Sequence, residues 1–260
     1  MVFLIEMAED KVFDIVEESK EEATLKVSSF NICEIEEKEE IVETFDSILR
    51  CNPDVLAVQG LTKRNCDAVF RIMKSKSYSF SRFDHTGPPR DTFEILFSKN
   101  TVPVIKKEYT PFIKTNQTRG LSKYLVTAGA QTQHPINVWI FTSKFEEGAS
   151  GNAIRKVQIL ELIAEYNRTG ALFPAIFAGD TSIPSWQSSD VTVKCPDGWK
   201  DVWREKGTSQ NEKTSLYDRM DQIWVTGALE IVDFSNIRVN SSDDTRAGVC
   251  ATFISKDLEK

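Results

Sequence analysis

Histidine is nearly absent from this chain of 260 residues: His85 and His134 are the only two. His85 precedes Pro88 and Pro89 in a stretch that reads as loop, and His134 stands beside Pro135 where a hairpin is expected, so both read as ordinary loop histidines. The side chain whose own pKa suits proton transfer near neutral pH is therefore missing from every motif described below. Long apolar runs are missing too. No window approaches the roughly 18 consecutive apolar residues of a membrane span, and the opening Met1-Val-Phe-Leu-Ile5 is too short and too soon acidic for a secretory core. An intracellular protein, nuclear or cytoplasmic and with no membrane partner, is expected. Cysteine offers neither a disulfide framework nor a zinc site. Cys33, Cys51, Cys66, Cys195 and Cys250 are odd in number, widely spaced and without a Cys-x-x-Cys pair, and they read as buried thiols. Positive charge is also in deficit. A formal charge of −7 leaves no basic field of the kind that holds duplex nucleic acid through counterion release, so any nucleic-acid contact has to be local.

What remains is ample for one core. With 40% hydrophobic residues, the chain reads as a single large α/β domain over residues 24–257 behind an acidic leader, residues 1–23. Val12, Phe13, Ile15 and Val16 give the leader a partial helical stripe, suited to a solvated helix, a helix docked on the domain, or one offered to a protein partner. Leu25 to Ile32 reads as a buried strand, Glu36 to Arg50 as a helix, and Asn52-Pro53-Asp54 as the turn into an apolar strand from Val55 to Val58. Asp91 to Ser98 alternates, with Phe93, Ile95 and Phe97 on one side, as a strand packed mainly through one face does. Val138 to Thr142 is a further strand. Asn152 to Tyr166 carries Ile154, Val157, Leu160 and Ile163 at helical spacing, and Pro174 to Ala178 is the strand after it. Short strands are expected near Ile223 to Val225, Ile231 to Asp233 and Gly248 to Ile254, with mostly loop from Ser185 to Leu216. Irregular interleaving of strands and helices, without repeats, points to a mixed sheet.

The run Ala175-Ile-Phe-Ala-Gly-Asp-Thr-Ser-Ile183 ends an apolar strand on a carboxylate, and the crevice beyond strand ends is where α/β sheets bind ligands. It belongs to an ordered series: Ser29-Phe30-Asn31-Ile32, Pro53-Asp54-Val55-Leu56-Ala57-Val58-Gln59, Thr142-Ser143, Ala178-Gly179-Asp180-Thr181, Asp201-Val202-Trp203 and Arg219-Met220-Asp221-Gln222-Ile223. This series resembles the endonuclease/exonuclease/phosphatase superfamily from about residue 24 to residue 255. Gly179-Asp180-Thr181, after Ile176-Phe177-Ala178, is similar to its 5′-tyrosyl-DNA phosphodiesterase branch. The resemblance implies a four-layer α/β/β/α sandwich of two mixed β-sheets with the site at one end. It also implies Mg²⁺-dependent phosphodiester or phosphomonoester hydrolysis. Asn31 would help hold the metal and the catalytic carboxylate, Asp180 would orient the attacking water, and Asp221 would lie close by. Arg155 and Gln158 fall on the helix that follows the Thr142-Ser143 strand, as in the family, although a solvated face explains an arginine there equally well.

The departures from that pattern are as informative. Gly60 stands where the family places its principal Mg²⁺-binding glutamate, and a glycine offers no side-chain oxygen to a cation that wants carboxylate ligands. Lys144 replaces a phosphate-contacting histidine, and Ser182 replaces an asparagine that stabilises the transition state. Counting back from Gly248 puts Thr245 and Arg246 on the positions of an Asp-His pair, while a two-residue insertion would put Ser242-Asp243-Asp244 there instead; neither alignment restores a histidine. Losing several members of a cooperating set removes turnover, so a catalytically inactive relative without a cofactor is expected. Lys144 and Arg246 would bind a phosphate or a nucleic-acid end directly, or would simply pair with Asp180, Asp221, Asp243 or Asp244. A rearranged Mg²⁺ phosphodiesterase site is the enzymatic alternative, built from Asn31, Asp180 and Asp221 with Glu94, Asp243 or Asp244. Glu94 also fits an exposed place on the less buried face of its strand. Trp186, Trp199 and Trp203 suit either packing or a protein interface.

Overall fold

The computed structural model describes residues 23–32, 35–83, 92–115, 119–148, 151–182, 195–207, 221–240 and 245–255. Residues 1–22 of the acidic leader, His85, Trp186 and Ser242-Asp243-Asp244 lie outside the described residues. Two six-stranded sheets carry the fold. The first is built from β1 (Thr24–Asn31), β2 (Val55–Leu61), β3 (Tyr78–Ser81), β4 (Phe93–Lys99), β11 (Leu229–Asn240) and β12 (Thr245–Ser255), in the spatial order β11-β12-β1-β2-β4-β3. The second takes β5 (Val104–Pro111), β6 (Gly120–Ala128), β7 (Ile136–Thr142), β8 (Ala175–Asp180), β9 (Trp199–Asp201) and β10 (Asp221–Thr226), in the order β5-β6-β7-β8-β10-β9.

Each sheet has one parallel pair, and in each a helix makes the crossover. The helix α1 (Lys38–Leu49) joins β1 to its parallel neighbour β2, and α3 (Asn152–Arg168) joins β7 to β8. Among the described residues the remaining helices are α2 (Lys63–Ser75), opened by a Thr62–Asn65 capping box, and the short α4 (Val202–Lys206). Alternation along the strands sorts the apolar residues into three clusters. Val27, Ala57, Val126, Ile140, Ile176, Ala178, Ile223 and Ala251 fill the space between the sheets. Phe30, Leu56, Val58, Ile95 and Phe97 face outward onto Ile41 and Phe45 of α1 and Val69 of α2. Phe141, Ala175 and Phe177 face outward onto Ile159 and Leu162 of α3. The layers are therefore α/β/β/α, as the resemblance implied.

Three expectations need correction. β4 is buried on both faces, because one side meets the helices and the other meets the second sheet; Glu94 is 7% exposed and Leu96 is fully buried. The buried side of α3 is formed by Arg155, Gln158, Ile159, Leu162 and Glu165, with Ile163 half-buried beside them, whereas Leu160 is 63% exposed. The loop expected from Ser185 to Leu216 is interrupted by β9 and α4. There Trp199 stands edge-on to Tyr166 at 5.3 Å, and Trp203 edge-on to Phe234 at 5.2 Å, so both tryptophans make packing contacts within the domain. The thiols of Cys66 and Cys250 are buried, while Cys51 and Cys195 are half-buried. No helix among the described residues is long and apolar enough to cross a membrane.

Candidate functional site

Strand alternation assembles the site. On β1 the residues facing the other sheet are Leu25 and Val27, and the same parity continues to Ser29 and Asn31; on β8, Ile176 and Ala178 lead to Asp180, and on β10 Asp221 precedes Ile223 and Val225. Polar residues thus occupy one end of an otherwise apolar inter-sheet face. Asp180 and Asp221 are direct partners across antiparallel β8 and β10. Gln59, buried at the end of β2, reaches across to Thr142 Oγ1 of the second sheet at 3.0 Å. Gly179 lets the Thr142-Ser143 segment lie against β8, since a β-carbon there would stand 2.4 Å from the Ser143 carbonyl oxygen.

Asp180 is fully buried and its two oxygens are both engaged. Asn31 Nδ2 donates to Oδ2 at 2.5 Å, and the Ser182 backbone N–H and hydroxyl donate to Oδ1 at 2.6 and 3.3 Å. Lys144 forms an isolated parallel bridge with Asp180, which brings its Nζ to 4.0 Å from Oδ2. Ser182 adopts a left-handed φ of 50°, and this aims its N–H back at the carboxylate. Asp221 accepts from Ser29 Oγ at 3.1 Å and from Asn31 N at 3.2 Å. Burial pushes the Asp221 carboxyl well above the usual carboxylate range, and the neighbouring Asp180 charge raises it further; the hydrogen bonds from Asn31 and Ser29 oppose this without cancelling it. Asp221 therefore holds its proton to higher pH than an ordinary aspartate.

Gly60 lies in β2 where the pairing with β4 slips between Val58 and Leu61, and its φ of 73° suits glycine. Glu94 is next to that slip, because Phe93 pairs with Leu61 and Ile95 with Val58. It shares the inter-sheet parity of Leu96, so this acid is buried near the site end instead of exposed. Among the described residues, no three His, Cys, Asp or Glu side chains group as metal ligands. Thr245 and Arg246 pair with Asn240 and Val239 at the start of β12, and the side-chain roles expected of them lie outside what is described. His134 is exposed in the turn between β6 and β7, away from these groups.

The structure decides the place of Arg155 and Gln158, which the sequence puts on the helix after the Thr142-Ser143 strand. Arg155 is not on a solvated face: it is buried, and its Nη1 binds the carbonyls of Glu146 at 2.6 Å and Gly148 at 3.0 Å. Gln158 accepts from Glu146 N at 2.9 Å. Together they pin the segment that follows Lys144. Arg119, just before β6, places Nη2 3.1 Å from Glu147 Oε1, and Lys144 Nζ is 2.5 Å from the same oxygen. The sequence carried no local signal for this arrangement, because the partners of Glu147 are 28 and three residues away.

The sequence matches no protein-family profile and no curated protein. Solved structures do match in shape. Truncated TDP2 from Caenorhabditis elegans aligns with a TM-score of 0.70 at 17% identity, covering 89% of this chain and 98% of that one. TDP2 from D. rerio, complexed with a single-strand DNA product, gives 0.67 at 20% identity over 89% and 99%. An endonuclease/exonuclease/phosphatase from Bacteroides vulgatus gives 0.72 at 11% identity over 90% and 99%. Two mixed sheets between helical layers, matched over most of the chain by these structures, give this protein the endonuclease/exonuclease/phosphatase fold, with a likeness to TDP2.

Proposed function

We propose that this chain is a non-hydrolysing protein of the phosphodiesterase fold that holds a phosphate-bearing nucleic-acid end without a metal ion. One observation carries the reading: both oxygens of Asp180 are taken by Asn31 and Ser182, and Lys144 stands beside them. Magnesium requires near-octahedral oxygen ligation with one or two available carboxylates. Here Asp180 is engaged by the donors of Asn31 and Ser182, and Gly60 supplies no oxygen at the position where the resemblance places the principal carboxylate ligand. The residues present do not fit the metal that the fold's hydrolytic members use, and no hydrolytic step is assigned to them.

Anion binding is supported instead by the cations at this end of the sheets. Lys144 Nζ and Arg119 Nη2 lie close together, each within 3.1 Å of Glu147 Oε1. The likeness to a TDP2 structure holding a single-strand DNA product supports a strand end as the ligand class. The test is fluorescence anisotropy with a 5′-phosphorylated single-stranded oligonucleotide in EDTA. Binding by the parent protein, weakened at least about ten-fold (~1.4 kcal/mol) in Lys144→Ala, is the expected result. Absence of binding, or binding that requires Mg²⁺, would overturn it; the latter would favour the rearranged metal site that includes Glu94.

A further inference from the structure

Lys144 and Arg119 already have an anion between them. We propose that Glu147 is an internal counter-anion seated in a phosphate-monoester site formed by Lys144 and Arg119, and that an incoming phosphate monoester takes its place. The inference rests on the phosphate-binding reading above and adds to it a residue that limits access to the site.

The geometry separates a fixed cationic pair from a displaceable carboxylate. The side chains of Lys144 and Arg119 are each 8% exposed, whereas that of Glu147 is 45% exposed. Arg119 does not depend on Glu147 for its position, because Nη1 donates to the Phe145 carbonyl and sits 3.5 Å from that of Lys144. Lys144 keeps Asp180 at 4.0 Å. Removing Glu147 therefore leaves two cations held by other partners.

The backbone around Glu147 is also held in place. Arg155 Nη1 grips the carbonyls on either side of it, at Glu146 and Gly148, so the Glu147 side chain can leave by rotation while the loop stays where it is. The preceding Glu146 contrasts with it: it is buried, and its carboxylate accepts from Thr115 Oγ1 at 3.2 Å. Both cations converge on a single oxygen, Oε1 of Glu147. A phosphate monoester offers three oxygens and up to two negative charges, so each cation can take an oxygen of its own. Burial works against the Glu147 charge, but Lys144 and Arg119 outweigh it and hold the carboxyl below its ordinary value. Glu147 is therefore a charged competitor at neutral pH.

Calorimetric titration with phenyl phosphate in EDTA tests this on the full chain. Glu147→Gln and Glu147→Ala should each tighten binding about ten-fold or more, and adding Lys144→Ala to either should cancel the gain. If parent and variants bind alike, Glu147 is not a competitor and the phosphate-binding reading survives alone. If none binds, both fall. Thermal unfolding of each variant confirms that the compared proteins are folded, and the two substitutions guard against an effect peculiar to either.

Discussion

Asn substitutions at the two buried aspartates should have unequal consequences. At Asp221 an amide replaces a carboxyl whose proton burial holds to higher pH than usual, and the new side chain can accept from Asn31 N while donating to Ser29 Oγ. The expected cost of Asp221→Asn is below about 1 kcal/mol at pH 4 and shrinks or reverses toward pH 7. At Asp180 the amide nitrogen must face either Asn31 Nδ2 or the Ser182 N–H, and Lys144 loses the charge beside it. Breaking a buried pair from one side costs about 3–5 kcal/mol, or about 6–20 °C in Tm for a domain of this size at about 2–4 °C per kcal/mol. The pH dependence gives the sign. Because the folded-state pKa of Asp221 is raised, its contribution is fully present below the unfolded value of about 3.9 and is lost as pH climbs through the folded value. Each unit of that rise costs the parent about 1.4 kcal/mol. Asp221→Asn lacks this titration, so its stability relative to the parent should improve from pH 4 upward. Urea unfolding of the three proteins between pH 4 and pH 8 measures this. Equal losses for both variants at pH 7, or a difference between parent and Asp221→Asn that does not change with pH, would refute the assignment of the proton to Asp221.

Two further outcomes follow from side chains outside the site. The Cys250 thiol hydrogen-bonds Cys51 and lowers its pKa to about 6 against partial burial, while burial pushes Cys66 to about 11 and Cys195 to about 12. Iodoacetamide should therefore label Cys51 with a half-maximal rate near pH 6 and leave Cys66 and Cys195 unlabelled in the folded protein, as read by peptide mapping; a Cys51 midpoint near 8.5 would contradict it. Lys123 is buried between Glu165 at 2.6 Å and Glu108 at 2.8 Å, so Lys123→Met should cost about 3 kcal/mol or more in denaturant unfolding, with much of the loss recovered by adding Glu165→Gln.

The parts of the fold that could be read from sequence were those governed by alternation. Leu25, Val27, Ser29 and Asn31 share a parity with one another, as do Ile176, Ala178 and Asp180, so a strand reading brings Asn31 and Asp180 toward one end of the inter-sheet core. The α3 face was misread for the opposite reason. Its buried side is organised by Arg155, Gln158 and Glu165, whose worth lies in tertiary hydrogen bonds to the Glu146–Gly148 segment and to Lys123. An apolar-spacing rule cannot register such residues and selects Leu160, which faces solvent. The sequence leaves Glu94 open because a strand buried on both sides and one buried on a single side look alike over so few residues. Arg119 and Glu147 were missed because their meeting depends on how two loops return to the same sheet edge.

Those loops change the significance of Asp180. In the sequence it marks a phosphoryl-transfer motif; in the structure both its oxygens accept from Asn31 and Ser182, with Lys144 alongside. The most direct test is to incubate a 5′-phosphorylated single-stranded oligonucleotide and a generic phosphodiester with the full chain and millimolar Mg²⁺, and to quantify the products. Both should be recovered intact, at the rate of a protein-free control. Mg²⁺-dependent cleavage that disappears in Asp180→Asn would contradict the proposal that this site binds without hydrolysing.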